Sequence, residues 1–164
     1  MMKKFEKKSI FYEYESTEQL TNSEEELIKE AEKAAKNAYA PYSKFKVGAA
    51  LILDNNKIIQ GNNQENAAYP SGLCAERIAV FYANSQYPEV AIKQLAITAF
   101  RGDELVELPI SPCGSCLQVL LETQRRYNTP VEIILSGRRK IYKAENVEQF
   151  LPMNFDLDSL KGES

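Results

Sequence analysis

Three cysteines and one glutamate have the spacing of a metal-dependent catalytic site. Cys113 and Cys116 are separated by two residues in SPCGSC, and Glu76 follows Cys74 by two positions in LCAE. Thiolates spaced like the first pair can point at one metal ion, and a neighbouring segment can supply a third sulfur. The chain has no fourth cysteine and no histidine. It therefore offers three ligands and one open coordination position, as catalytic zinc sites do.

Both cysteine segments are predicted to begin a helix. One helix is predicted from about Leu73 to Ser85, and another from Pro112 to about Tyr127, with Ser111 as its cap. Helix N-termini carry partial positive charge and free N–H groups, which lower the pKa of a thiol. The thiolate is the form that binds metal, so these positions favour metal binding.

Glu76 is a candidate proton carrier beside the metal. In a regular helix its side chain would point about 200° away from that of Cys74. The two can share a cavity only if Cys74 lies at the helix edge, where the backbone is not yet helical, and Gly72 makes that start plausible. Zinc lowers the pKa of a bound water to about 7, and Glu76 would then take its proton.

Other interpretations of these residues remain open. The cysteines could be buried and inert, or Cys113 and Cys116 could form a thiol-exchange pair. Glu76 could be a solvated acid that favours the helix dipole. Neither cysteine alternative explains why Cys74 lies so close to Glu76.

The surrounding pattern predicts helices that alternate with apolar strands, which implies helices on both faces of a mixed sheet. The first helix should begin after a Ser23 cap and stop before Pro41. Residues 1–22 are predicted to be an N-terminal arm that could include a strand, and residues 23–164 a single domain. Predicted strands cover residues 47–53, 57–61, 95–100, 131–135 and 139–142, and a helical turn covers 146–151.

Composition narrows the class of protein. The chain has 164 residues, 44% hydrophobic and 26% charged, with a net charge of −3. An acidic protein is a poor partner for nucleic acid or an anionic membrane. No apolar stretch approaches the roughly 20 residues of a membrane span, and the N-terminus lacks the apolar core of a signal peptide. We expect a cytoplasmic protein without nucleic acid or membrane partners.

The chain resembles the cytidine deaminase family over roughly residues 25 to 160. The matching segments, in order, are AYAPYSKFKVGAAL (38–51), GNNQENAAYPSGLCAER (61–77), ISPCGSCLQV (110–119) and LPMNF (151–155). The resemblance implies that Cys74, Cys113 and Cys116 bind Zn²⁺ and that Glu76 moves protons. Zinc deaminases with a three-cysteine site and a separate glutamate are known as a class.

The resemblance also implies substrate contacts. Asn63 and Glu65 look like the pair that hydrogen-bonds the ribose hydroxyls. Phe45 looks like the aromatic ring that packs on the pyrimidine, and Ala75 is implied as a further substrate contact.

Subunit contacts and the fold follow from the same resemblance. Tyr69 and Phe155 resemble residues that reach the active site of a neighbouring subunit. The small, all-cysteine branch of the family is usually a homotetramer, so we expect one here. The implied fold is a three-layer α/β/α sandwich around a five-stranded mixed sheet.

One position departs from the family pattern. Many relatives have arginine directly after the second cysteine of the pair, where this chain has Leu117. Three thiolates overcompensate the charge of Zn²⁺, so nearby positive charge should keep the metal electrophilic. We expect Arg77 to carry more of that duty here.

The predicted reaction is hydrolytic deamination of cytidine, and of 2′-deoxycytidine, in pyrimidine salvage. A deaminase of a cytosine-bearing antibiotic is one alternative, and the NQENA segment (63–67) speaks against it. A non-catalytic zinc-binding module is another, disfavoured by the missing fourth ligand. A deaminase that acts within a nucleic acid strand would want a basic groove, which the sequence does not indicate.

Overall fold

A seven-stranded mixed sheet forms the centre of the protein in a computed structural model that describes residues 1–162. The strands are β1 (Tyr12–Tyr14), β2 (Phe45–Leu53), β3 (Ile58–Asn62), β4 (Ile92–Arg101), β5 (Glu104–Leu105), β6 (Glu132–Ser136) and β7 (Ile141–Ala144). The spatial order is β1-β7-β6-β4-β2-β3, with β5 paired to β4. Strands β4 and β6 run parallel, and the other neighbours run antiparallel.

Helices cover both faces of this sheet. They are α1 (Asn22–Lys36), α2 (Ala75–Gln86), α3 (Gly114–Tyr127) and α4 (Leu157–Lys161). Alternate residues of a strand point to opposite faces. On β2, Ala50 therefore packs with Leu27 and Ile28 of α1, whereas Ala49 and Leu51 join the core that α2 and α3 cover. The predicted three-layer α/β/α sandwich is confirmed.

The sheet contains two strands beyond the predicted five. Strand β5 is a two-residue return from β4, after a turn in which Gly102 has φ +64°. Strand β1 lies within the segment predicted as an arm and pairs antiparallel with β7, with Tyr12 opposite Lys143. It covers N–H and C=O groups that would otherwise be unpaired along the outer edge of β7.

The arm also contacts the chain near its other end. Ile10 donates its backbone N–H to Oε1 of Gln149 at 2.7 Å. The ring of Phe11 meets that of Phe150 edge-on, with centroids 5.0 Å apart. Both partners belong to the 3₁₀ turn Val147–Phe150, which lies within the helical turn predicted for 146–151.

The boundaries of α1 differ from the prediction at both ends. Thr21, and not Ser23, caps the helix: its hydroxyl accepts from the Glu24 N–H, and the Glu24 carboxylate accepts from the Thr21 N–H. This reciprocal pair satisfies two helix-end donors at once. The helix was predicted to stop just before Pro41, and it already ends at Lys36. Among residues 1–162, no helix is both long and apolar enough to cross a membrane.

Candidate metal centre and substrate cavity

Two of the cysteines are the N-cap residues of helices. Cys74 (φ −73°, ψ 154°) precedes α2 and Cys113 (φ −72°, ψ 163°) precedes α3, both with extended backbone. The helix starts predicted at Leu73 and at the Ser111–Pro112 step are therefore wrong by two residues. The later start places each sulfur at the helix terminus, and it meets the condition under which Cys74 and Glu76 can face one cavity.

The three sulfurs form a compact cluster. The Sγ atoms of Cys74 and Cys113 are 3.9 Å apart, and those of Cys113 and Cys116 are 3.4 Å apart. All three lie within 4.8 Å of one another. Tetrahedral coordination with Zn–S bonds of about 2.3 Å requires sulfurs about 3.8 Å apart. The donor type, the number and the spacing all fit a tetrahedral zinc ion with one position left over.

The ligand thiols differ in acidity. The pKa of Cys74 is lowered to about 5, first because it accepts a hydrogen bond from Cys116 and then because Arg77 donates to it. Nη2 of Arg77 lies 3.6 Å from that sulfur. The hydrogen bond to Cys74 and burial raise the pKa of Cys116. The cluster thus holds a thiolate beside a guanidinium even before a metal is considered.

Glu76 is a buried carboxyl group of the same cavity. It is the second residue of α2 and only 5% exposed. Burial raises its pKa, and the negative charge of Cys74 raises it further. A solvated acid of a helix first turn would have neither property. The structure therefore brings together a metal-type cluster and a buried carboxyl group with a raised pKa.

A cavity of about 680 Å³ opens beside the cluster. Cys74, Glu76 and Cys113 line it, and so do Asn63 and Glu65. Most of the lining residues belong to the connection between β3 and α2 and to the segment before α3. Its size is that of a small-molecule site.

Asn63 is tied to the start of β2, and Glu65 to the segment that leads into it. Nδ2 of Asn63 donates to the Phe45 carbonyl at 2.9 Å, and its Oδ1 accepts from the Val47 N–H at 2.7 Å. Oε2 of Glu65 accepts from the backbone N–H groups of Tyr42 (2.9 Å) and Ser43 (3.3 Å). Both side chains are thus fixed while they still border the cavity.

The remaining predicted substrate and subunit contacts lie in different places. Tyr69 lines the cavity and is 79% exposed. Phe45 is half-buried at the start of β2, Ala75 is fully buried as the first residue of α2, and neither belongs to the cavity lining of the described chain. Phe155 is 56% exposed and accepts a hydrogen bond from Gln118 of α3 through its carbonyl, at 2.9 Å. Their predicted roles stay predictions.

The position that departs from the family pattern is filled by apolar packing. Leu117 is 7% exposed and belongs to the core between the sheet and the helices. Arg77 is the cation that contacts the sulfur cluster, and its Nε is buried without a hydrogen-bond partner in the described part of the chain. The positive charge beside the cluster is therefore supplied by Arg77 of α2, whereas α3 has an apolar residue at the corresponding position.

The cavity lining also includes residues that were not among the predicted site residues, such as Tyr42, Ser43, Val47 and Ile110. Three of them belong to the segment 38–51 that carried the resemblance. The sequence therefore marked this segment as part of the family pattern, but only its hydrogen bonds to Glu65 in the structure show that it borders the cavity.

Known proteins match both the sequence and this geometry. The family model of the cytidine and deoxycytidylate deaminase zinc-binding region matches residues 21–129. A cytidine deaminase of Sporosarcina psychrophila is 40% identical over 136 residues, which cover 83% of this chain and 93% of that protein. A cytidine deaminase of Halalkalibacterium halodurans is 45% identical over 98 residues, 58% of this chain and 68% of that protein.

A solved structure agrees. The crystal structure of cytidine deaminase from Burkholderia pseudomallei has a TM-score of 0.68 at 33% identity, covering 83% of this chain and 100% of that one. The matched residues 21–129 contain the whole sulfur cluster and Glu76. This chain therefore belongs to the cytidine and deoxycytidylate deaminase family of enzymes.

Proposed function

We propose that this protein is a zinc enzyme that hydrolyses cytidine and 2′-deoxycytidine to uridine and 2′-deoxyuridine with release of ammonia, as a step of pyrimidine salvage. The observation that carries this proposal is the cluster of three cysteine sulfurs within 4.8 Å, with the buried Glu76 in the same cavity. Relatives named cytidine deaminase support the choice of base.

In this proposal Cys74, Cys113 and Cys116 hold the metal. Bound zinc supplies a Lewis acid that lets water act as a nucleophile near pH 7. Glu76 accepts a proton from the water that attacks C4 of the pyrimidine and delivers it to N3. It then takes the remaining proton of the new C4 hydroxyl and passes it to the leaving amine, which departs as ammonia while the C4 carbonyl forms. The raised pKa of Glu76 suits a group that must both take and give a proton.

The charge of the cavity favours a nucleoside over a nucleotide. Glu65 and Glu76 bring two carboxyl groups to its lining, and Arg77 is the one cation among the lining residues of the described chain. That guanidinium already contacts the Cys74 sulfur. A 5′-phosphate would bring further negative charge into a cavity lined by the Glu65 carboxylate, so the proposed substrate carries no phosphate. Asn63 and Glu65, which also line the cavity, are proposed to bind its sugar.

Arg77 is proposed to offset part of the negative charge of the three thiolates. Its contact with Cys74 and the apolar packing of Leu117 support this role. The guanidinium keeps its charge at any working pH, so it is suited to a constant correction of the metal's electrophilicity.

A cytoplasmic homotetramer, with residues 23–164 as its catalytic domain, is proposed for the assembly. Exposed aromatic side chains support an interface: Tyr69 at the cavity, Phe81 and Tyr82 on α2, and Phe155 near the C-terminus. Aromatic residues are enriched in such contacts. Three free thiols suit a reducing compartment. A sedimentation measurement that gave a monomer at micromolar concentration would contradict the tetramer.

The function is tested by an assay of the wild type and Glu76→Gln side by side. Absorbance follows cytidine turnover, and metal analysis gives the zinc bound to each protein. The variant should keep its zinc and lose about 10²- to 10⁴-fold in kcat, the share of a general acid–base group. A wild type that carries zinc but turns over no cytosine nucleoside would instead support the non-catalytic zinc-binding module.

A further inference from the structure

A short serine-centred network connects the proposed sugar subsite to the start of β2. We propose that Ser43 is a positioning residue: its hydroxyl fixes the carboxylate of Glu65 so that one oxygen faces a sugar hydroxyl of the substrate. The inference rests on the proposed function, because it concerns the same cavity.

The hydroxyl of Ser43 has a partner on each side. Its Oγ donates to Oε1 of Glu65 and accepts from the Phe45 N–H at 3.0 Å. One side chain thus holds the carboxylate and the first residue of β2 in a single arrangement. Tyr42 adds only a backbone N–H to Glu65, so Ser43 provides the side-chain contact of this turn.

The backbone around Ser43 is held in an unusual conformation. Lys44, between Ser43 and Phe45, has φ +56°, in the left-handed region that residues other than glycine seldom adopt. Its N–H donates to the Ala40 carbonyl and its own carbonyl accepts from the Gly102 N–H. Such a conformation persists where its surroundings determine it, and it recurs at ligand sites.

The hydrogen bonds of Glu65 leave it one place for a substrate. An ionised carboxylate has about four acceptor positions. The N–H groups of Tyr42 and Ser43 occupy two on Oε2, and the Ser43 hydroxyl occupies one on Oε1. The remaining position belongs to Oε1. Since the carboxylate only accepts, its partner must be a donor, and a sugar hydroxyl is such a donor.

The test compares Ser43→Ala and Ser43→Thr with wild type on two nucleosides. Cytidine carries the 2′- and 3′-hydroxyls of its sugar, and 2′,3′-dideoxycytidine, used as a competitor against cytidine, lacks both of these. Ser85→Ala is the matched control, because Ser85 is exposed near the end of α2 and away from the cavity. Thermal unfolding of each variant shows that the fold is retained.

Ser43→Ala should raise KM for cytidine by about tenfold with kcat nearly unchanged, the low end of the cost of losing a hydrogen bond to a charged group. Its inhibition constant for dideoxycytidine should equal that of wild type. Ser43→Thr, which keeps the hydroxyl, should restore the cytidine KM, and Ser85→Ala should match wild type on both.

Two results would overturn the inference. An unchanged KM for cytidine would show that Ser43 does not position Glu65. Equal weakening for cytidine and dideoxycytidine would show a general structural role without a link to the sugar hydroxyl. A wild type that turns over no cytidine would be a different failure, because it would refute the proposed function itself.

Discussion

Replacement of Gly61 by alanine tests whether close packing on β3 sets the position of α2, the helix that carries Glu76. Gly61 lies in β3 opposite Ala49, beneath the first turns of α2. A Cβ at this position would lie 2.3 Å from the Ala75 carbonyl oxygen and 2.7 Å from the Ala79 backbone nitrogen. Both atoms belong to the helix backbone, so a side-chain rotation cannot relieve the overlap.

The size of the effect follows from this overlap. The 2.3 Å distance falls short of the 3.4 Å of ordinary contact, so the start of α2 must retreat by roughly 1 Å. Cys74 caps that helix and Glu76 is its second residue, so both move relative to Cys113 on α3. A misplacement of about 1 Å can cost about 100-fold in rate. Overpacking of this kind also costs about 1 to 3 kcal/mol of stability.

The assay measures kcat per folded molecule, with thermal unfolding and zinc content for each variant. Gly48→Ala is the matched control, because Gly48 lies on the adjacent strand and faces the other helix layer. A Cβ there would lie 2.0 Å from the Ala31 carbonyl oxygen of α1, a helix without site residues. We expect Gly48→Ala to be destabilised at least as much and to keep its kcat.

Two outcomes would refute this reasoning. If Gly61→Ala lost stability but kept the wild-type kcat, the position of α2 would not limit catalysis. If Gly48→Ala and Gly61→Ala lost kcat to the same degree, the loss would come from general loosening of the fold. Only a selective loss in Gly61→Ala supports a link between this close helix–sheet contact and the site.

Three further predictions concern charge and metal. Arg77→Gln should lower kcat by about tenfold or more with zinc content unchanged, as expected for a residue beside a metal ligand; an unchanged kcat would remove Arg77 from the proposal. Burial raises the pKa of Glu24, but hydrogen bonds from Lys143 and Thr21 lower that pKa overall. The ionised Glu24 carboxylate therefore stabilises the fold at neutral pH, and this stabilisation is lost as the pH falls below about 4. Lys143→Met should therefore lower the free energy of unfolding by about 3 kcal/mol at pH 7, and by less at pH 3, in chemical denaturation; an equal loss at both pH values would contradict this. Chelation should abolish activity and make the exposed Cys113 and the half-buried Cys74 react with a thiol reagent, and added zinc should reverse both; thiols that react fully before chelation would contradict metal ligation.

The sulfur cluster was predictable because its information is local. The pair Cys113 and Cys116 lies within one helical turn, and Cys74 and Glu76 lie two residues apart. Because the sequence has no histidine and no fourth cysteine, its composition alone limits the possible ligand sets. Apolar runs such as 47–53 likewise indicated buried strands, and the three-layer arrangement followed from their alternation with helices.

Features that depend on distant contacts were not predictable in the same way. Thr21 and Ser23 both stand three residues before a glutamate, so the capping pattern in the sequence does not choose between them. The role of Ser43 depends on Glu65, 22 residues further on. Strand β1 owes its existence to β7, since an isolated three-residue strand is not stable by itself.

The pairing of β1 with β7 also has a consequence for the order of folding. The Tyr12 hydroxyl donates to Glu145, 133 residues away, and Ile10 bonds to Gln149, 139 residues away. The arm leaves the ribosome well before these partners, which are made more than 130 residues later. The arm therefore remains unpaired and exposed to solvent until β7 has formed. The same remote docking makes it the natural place for the folded protein to begin to fray, and amide exchange should be fastest there.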